Sequence, residues 1–196
     1  LISRGVETPY SGMLPGVIAG HYTVEEAHID LQRLARFAQA RPFLDEVIGL
    51  DLARRRVLCR TRPPVPFDLL SLNLGSTPNA SVPGALEHAT PVKPIDRFLR
   101  RWDEMRARLL AGGRPHRVAV VGGGAGGVEL LLSVQHRLAR DLEEAGRAGA
   151  PIAFDLFTAS DTLLPAFNAR VRRLFRDLFD ARGLTLHTGA RIARVE

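Results

Sequence analysis

The sequence predicts an α/β fold whose C-terminal half is a parallel βαβαβ unit, and three observations carry that prediction. The β-branched run Val118-Ala119-Val120-Val121 leads directly into G-x-G-x-x-G at Gly122, Gly124 and Gly127, followed by residues at helical spacing. From Arg117 onward the pattern alternates: strand 117–121, helix 125–146, strand 152–158, helix 169–182, strand 184–188. The last helix has its punctuation in place, with Asn168 as N-cap and Gly183 just past its end. Right-handed crossovers wind such an alternation into a parallel sheet.

The glycine run gives this unit its chemistry. In Gly122-Gly123-Gly124-Ala125-Gly126-Gly127 the first fingerprint glycine permits a tight turn and the second lets a pyrophosphate approach the backbone. The third lets the helix pack close to the strand. Free N–H groups and the positive end of the helix dipole then hold the phosphates. The fingerprint alone is a weak signal; flanked by a readable strand and helix, it predicts a dinucleotide site.

Upstream, Leu1-Ile2-Ser3 reads as the tail of a strand whose start is missing, so the chain is expected to be an internal piece of a longer one. Residues 8–20 are rich in Gly and Pro and read as a loop. Thr23-Val24-Glu25-Glu26 is a capping box, and Ala27, Leu31, Leu34, Ala35 and Ala38 extend a helix to about Ala40. Residues 43–52, 56–60 and 67–74 then read as strands, separated by turn signals and Pro63-Pro64. A helix at 95–111 places Ile95, Phe98, Leu99, Trp102, Met105 and Leu109 on one face, which makes Trp102 and Met105 packing residues. Gly112-Gly113 stops that helix, with Pro115 beyond. The composition break across 75–94 is the best domain boundary.

Composition excludes several classes. At 196 residues with 45% hydrophobic content the chain is an ordinary globular length, and no apolar run reaches the ~18 residues a membrane span needs. Cys59 is the single cysteine, which rules out an internal disulfide or a cysteine pair within the chain and points to a reducing, cytoplasmic setting. The formal charge of +6 comes almost wholly from arginine spread among acids, and Arg54-Arg55-Arg56 has no aromatic neighbours to stack bases, so no nucleic-acid partner is expected. The six histidines show no zinc-ligand spacing, and no metal is expected. No nucleophile elbow is present for hydrolase chemistry.

Four segments in order, Tyr10-Ser11-Gly12-Met13-Leu14-Pro15-Gly16, residues 67–78, Gly122 to Glu129, and Leu163-Leu164-Pro165, resemble the pyridine nucleotide-disulfide oxidoreductase superfamily. Within it the chain is most similar to type II NADH dehydrogenase-like flavoproteins. The segments 11–22 and 75–101 look like the flavoprotein domain fused to selenide, water dikinase. The resemblance implies a Rossmann-like NAD(P)H-binding domain joined to part of an FAD-binding domain with a small β-meander. The implied division is a partial FAD domain at 1–78, a linker and connecting helix at 79–115, and a C-terminally truncated NAD(P)H domain at 116–196.

On this resemblance the intact protein is an FAD-dependent NAD(P)H oxidoreductase. It moves hydride from nicotinamide to flavin and on to a small-molecule acceptor, a quinone or a selenium or sulfur species. Gly122 to Gly127 would hold NAD(P)H, and Glu129 would be the catalytic residue toward nicotinamide and flavin. Pro15 and Gly75-Ser76-Thr77 would lie near FAD. The localisation implied is cytoplasmic or peripheral to the inner membrane, and selenide, water dikinase is the implied fusion partner.

Two departures qualify this picture. The superfamily's first glycine fingerprint, which holds FAD, has no counterpart in these residues, so the chain by itself is expected to carry no flavin. At the end of the second strand, where an acid usually takes the ribose 2′-OH, Thr158 stands instead; Asp155 lies inside the strand and Asp161 three residues late. That predicts weak discrimination between NADH and NADPH. It also keeps open a nucleotide-binding regulatory or scaffold domain without turnover, whereas the strand-rich segment at 43–74 and the loop Ser11-Gly12-Met13-Leu14-Pro15-Gly16 argue against a single-Rossmann dehydrogenase.

Overall fold

The computed structural model describes residues 1–79, 81–111, 115–147 and 151–196. In chain order its elements begin with β1 (Ile2–Ser3), β2 (Glu7–Pro9), α1 (Leu14–Ala19), β3 (His28–Asp30) and α2 (Leu31–Phe37). Next come β4 (Phe43–Leu44), β5 (Val47–Asp51), β6 (Arg56–Cys59), β7 (Val65–Pro66) and α3 (Ala85–His88). The last six are α4 (Ile95–Ala111), β8 (His116–Val121), α5 (Ala125–Glu144), β9 (Ile152–Phe157), α6 (Ala169–Ala181) and β10 (Thr185–His187), and a 3-10 turn at Ser11–Met13 precedes α1. Contacts divide the chain into two compact units, Leu1–Ser11 with Thr23–Ser76, and Gly12–Tyr22 with Thr77–Glu196.

The second unit is the predicted βαβαβ. Its sheet runs in the order β10-β9-β8, all parallel, with His116 to Val121 registered on Ile152 to Phe157 and Thr185 to His187 on Asp155 to Phe157. Valines and aromatics at alternate positions turn Val118, Phe154 and Leu156 into a core with Val128, Leu131, Val134 and Leu138 of α5. Phe98 and Trp102 of α4, Phe179 of α6, and Leu14 and Ile18 of α1 join the same cluster. Trp102 and Met105 therefore pack, as their helical spacing predicts. Asn168 caps α6 by accepting the Val171 N–H at 3.0 Å, and Gly183 closes it at φ 65°. The expected stop at Gly112-Gly113 lies outside the described residues.

One buried acid ties α4 to α5. Asp141, 5% exposed, accepts hydrogen bonds from Nε and Nη2 of Arg106, the latter at 2.8 Å, and from Arg137 Nε at 3.0 Å. Burial opposes its ionisation, yet the hydrogen bonds and charges of Arg106 and Arg137 outweigh it and hold the carboxyl below the ordinary carboxylate range.

The first unit is a set of small sheets: β1 with β4 in parallel, β2 with β3 antiparallel, and an antiparallel β5-β6-β7 meander. Asp45 is its polar hub, accepting the N–H groups of Glu46 (2.7 Å) and Arg62 (3.0 Å) and the Thr61 hydroxyl (2.9 Å). Burial opposes ionisation of Asp45 too, but those donors hold its carboxyl below the ordinary range. Cys59 is a buried strand residue, free of any disulfide.

Four expectations need correction. Residues 8–20 are not a loop: Pro15 stands in the first turn of α1, where its missing N–H costs nothing, and Gly20 ends the helix at φ 80°. Leu14, Ile18 and Ala19 supply its buried stripe. The capping box forms, with Thr23 N to Glu26 Oε2 at 2.8 Å and Glu26 N to Thr23 Oγ1 at 3.2 Å, but it opens only a turn. His28–Asp30 then pairs with β2, and the helix starts afresh at Leu31, where Asp30 accepts the N–H groups of Gln32 and Arg33. Sheet pairing outweighs the local helical signal here. Finally, 67–74 forms no strand: it has no partner strand among the described residues, and three of its leucines stay exposed, Leu69 at 93%, Leu74 at 78% and Leu72 at 55%. The expected strand at 43–52 also breaks at Asp45 and Glu46, where the Asp45 N–H donates to the Ser3 carbonyl at 2.9 Å and the Glu46 N–H to the Asp45 carboxylate.

Candidate functional site

The glycine turn links β8 to α5, and each fingerprint glycine has its own geometric reason. Gly122 takes φ 125°, a conformation side chains rarely adopt, and its N–H donates to the Phe157 carbonyl at 2.8 Å. Gly124 is the N-cap of α5 in extended conformation, and a Cβ there would meet no atom within 4 Å. Its openness is a property of the space above the turn and leaves room for a ligand. Gly127 is the tight one, since a Cβ would collide with the Gly122 carbonyl oxygen. Gly126 faces open space, and Ala125 is half-buried at the start of the helix.

No cap side chain occupies the N-terminus of α5. A twenty-residue helix therefore opens directly beneath the turn with its first N–H groups and the positive end of its dipole. That arrangement suits a diphosphate.

Thr158 is brought to this turn, at the end of β9, with its side chain buried beneath Gly123. Leu164 joins it: its N–H donates to the Gly123 carbonyl at 2.8 Å, while its own backbone stands at φ 53°. The role of Leu164 was not legible in the sequence. The Leu163-Leu164-Pro165 run is visible, but nothing about a leucine signals a left-handed backbone.

Glu129 is exposed, the fifth residue of α5 and beyond its first turn, where the dipole effect has faded. It makes no ion pair or side-chain hydrogen bond among the described residues. Pro15 lies in α1, which packs on α5. Gly75 and Ser76, both exposed, end the first unit, with Gly75 at φ 70°, and Thr77 opens the next stretch of the second. Asp155 stays inside the strand, its Oδ1 2.7 Å from His187 Nε2, whose ring stacks on Phe157 at 4.2 Å between centroids. Among the described residues no group of His, Cys, Asp and Glu is arranged to hold a metal ion, and no helix is long and apolar enough to cross a membrane.

The chain is similar to several known proteins. The chain is 24% identical over 215 residues to the mitochondrial external alternative NAD(P)H-ubiquinone oxidoreductase B2 of Arabidopsis thaliana, a match covering 95% of this chain and 36% of that protein. The B4 enzyme of the same plant is 25% identical over 178 residues, covering 76% of this chain and 30% of its own length. The chain thus spans about a third of these relatives. Among solved structures, NDH2 from Plasmodium falciparum in complex with NADH aligns over the whole chain and 44% of its own, at TM-score 0.85 and 19% identity. The sulfide:quinone oxidoreductase of Aquifex aeolicus aligns over the whole chain and 46% of its own, at TM-score 0.82 and 17% identity. The sequence profile of one family matches residues 1–196 throughout, and the chain belongs to it: the pyridine nucleotide-disulphide oxidoreductases.

Proposed function

We propose that the glycine turn binds NAD(P)H and that the intact protein is an FAD-dependent NAD(P)H oxidoreductase delivering electrons to a quinone. The observation that carries the nucleotide reading is the division of labour among Gly122, Gly124 and Gly127 over an uncapped helix N-terminus. The relatives support the rest: two are NAD(P)H-ubiquinone oxidoreductases by name, and a structural neighbour was solved with NADH. The quinone is preferred over a selenium or sulfur acceptor because it recurs in those names. The domain division implied by the sequence, with NAD(P)H on residues 116–196, belongs to this same reading.

The residues fit one dinucleotide, since the chain carries a single G-x-G-x-x-G. FAD, when bound to the intact protein, supplies the capacity to take two electrons from nicotinamide and pass them on. This chain's own part is binding and orientation. The N–H groups at the start of α5 hold the pyrophosphate, the open space at Gly124 admits it, and the Gly127 contact fixes the helix against the turn. Glu129, exposed one helical turn beyond, is the carboxylate proposed to contact the nicotinamide side. Pro15 and Gly75-Ser76-Thr77 are proposed as flavin-side positions on the resemblance alone.

The test is an assay of the full-length protein. NADH should bleach its flavin absorbance, and a soluble quinone should restore it with turnover. A yellow protein that NADH fails to bleach would leave a nucleotide-binding module without turnover as the better description.

A further inference from the structure

The residue expected to read the ribose is built for something else. Thr158 is 5% exposed, and a Cβ placed on Gly123 would lie 2.6 Å from its Cβ, 2.7 Å from its Oγ1 and 3.1 Å from its Cγ2. Gly123 is itself buried and is the one position of G-x-G-x-x-G between the first two glycines. Thr158 is held on every side. Its N–H donates to the His187 carbonyl at 2.9 Å, its carbonyl accepts the Ala190 N–H at 2.8 Å, and its Oγ1 accepts the Ser160 N–H at 3.3 Å. A β-branched side chain on so fixed a backbone is a stiff object. The same connection returns to the turn at Leu164, whose N–H takes the Gly123 carbonyl.

We propose that Thr158 is a positioning residue, the floor on which Gly123 rests, and that Gly123 and Thr158 are a matched steric pair setting the height of the phosphate-binding turn. Thr158 does not read the ribose 2′ position. Donors that hold a ligand must sit within about 0.5 Å of their productive places. A methyl group inserted between Gly123 and Thr158 moves the turn by more than that, because neither the strand end nor the turn can yield cheaply. The proposal deepens the nucleotide reading and rests on it.

The experiment is calorimetric titration of this chain with NADH and with NADPH, alongside thermal denaturation of each variant. Gly123→Ala should weaken both nucleotides by about tenfold or more. Adding Thr158→Gly to it should restore affinity to within about threefold of Thr158→Gly alone. Thr158→Val keeps the shape and removes the hydroxyl, so it should leave the NADH to NADPH ratio unchanged within about twofold. A ratio that shifts about tenfold in Thr158→Val would make the hydroxyl a ribose reader and overturn the proposal, as would a double variant that is not rescued. A wild-type chain that binds neither nucleotide would instead refute the nucleotide reading. The steric pair is then judged by melting alone: Gly123→Ala must lower the midpoint and Thr158→Gly must recover it, or the pair falls as well.

Discussion

The two units of the chain spend their apolar residues differently. In the unit formed by Gly12–Tyr22 and Thr77–Glu196, side chains from β8, β9, α1, α4, α5 and α6 converge on one cluster, and Phe179, Leu131, Leu138 and Leu156 are almost wholly buried. In the unit formed by Leu1–Ser11 and Thr23–Ser76, the buried apolar residues are the small Ala27, Ala35, Val57 and Cys59. Its large ones are half-buried, as Phe43 and Leu58 are, or exposed, Phe37 at 88% and Leu69 at 93%, and the polar hub at Asp45 organises the meander instead. One unit is held by packing, which fixes a rigid turn over a long helix. The other is held by local hydrogen bonds among short strands. A ligand site that needs sub-ångström placement belongs on the first.

Two phenylalanines test that contrast most strongly. Phe179→Ala removes a fully buried ring and should cost about 3–5 kcal/mol by denaturant unfolding, whereas Phe37→Ala should change stability by less than about 0.5 kcal/mol. Equal effects would mean the two units are stabilised alike.

Next in size is Asp141→Ala, expected to cost about 2–3 kcal/mol because Arg106 and Arg137 lose a shared, buried acceptor but keep some access to water. The folded carboxyl titrates below its ordinary value, so its contribution is complete above the unfolded pKa and is lost as pH falls through the folded one. Unfolding curves of wild type and Asp141→Asn should therefore differ fully at about pH 6 and begin to converge only below about pH 4. A difference that grows toward acid would contradict the assignment.

Gly127→Ala should destabilise by about 1–3 kcal/mol, since its new methyl meets the Gly122 carbonyl, and should also remove NADH binding. The smallest expected effect lies in the first unit. Arg55 sits exposed at φ 50° in the β5–β6 turn, so Arg55→Gly should leave stability unchanged or raise it by up to about 1 kcal/mol. A loss there, measured by melting, would show a role for the arginine side chain beyond the turn.

The same contrast explains what could be read from the sequence. Helix α4 and the β8–α5–β9–α6–β10 run were legible because their apolar spacing, caps and glycine turn all point one way. The N-terminal segments were not, because tertiary pairing decides them. His28–Asp30 carries a helical pattern but finds β2, and 67–74 has strand composition without a partner among the described residues. At the site, the fingerprint glycines and the position of Thr158 were readable by spacing. That Thr158 faces inward under Gly123, and that Leu164 adopts a left-handed backbone to meet the turn, depends on how a long connection folds back.

The central claim, that this turn holds a dinucleotide, is tested most directly at Gly124. Its backbone is in a region open to any residue, and a Cβ there meets nothing, so Gly124→Val should fold as the wild type does. Calorimetry should show NADH binding to the wild-type chain and none to Gly124→Val, with melting midpoints matched. Binding of NADH at unchanged affinity to a folded Gly124→Val would place the nucleotide elsewhere and contradict the account.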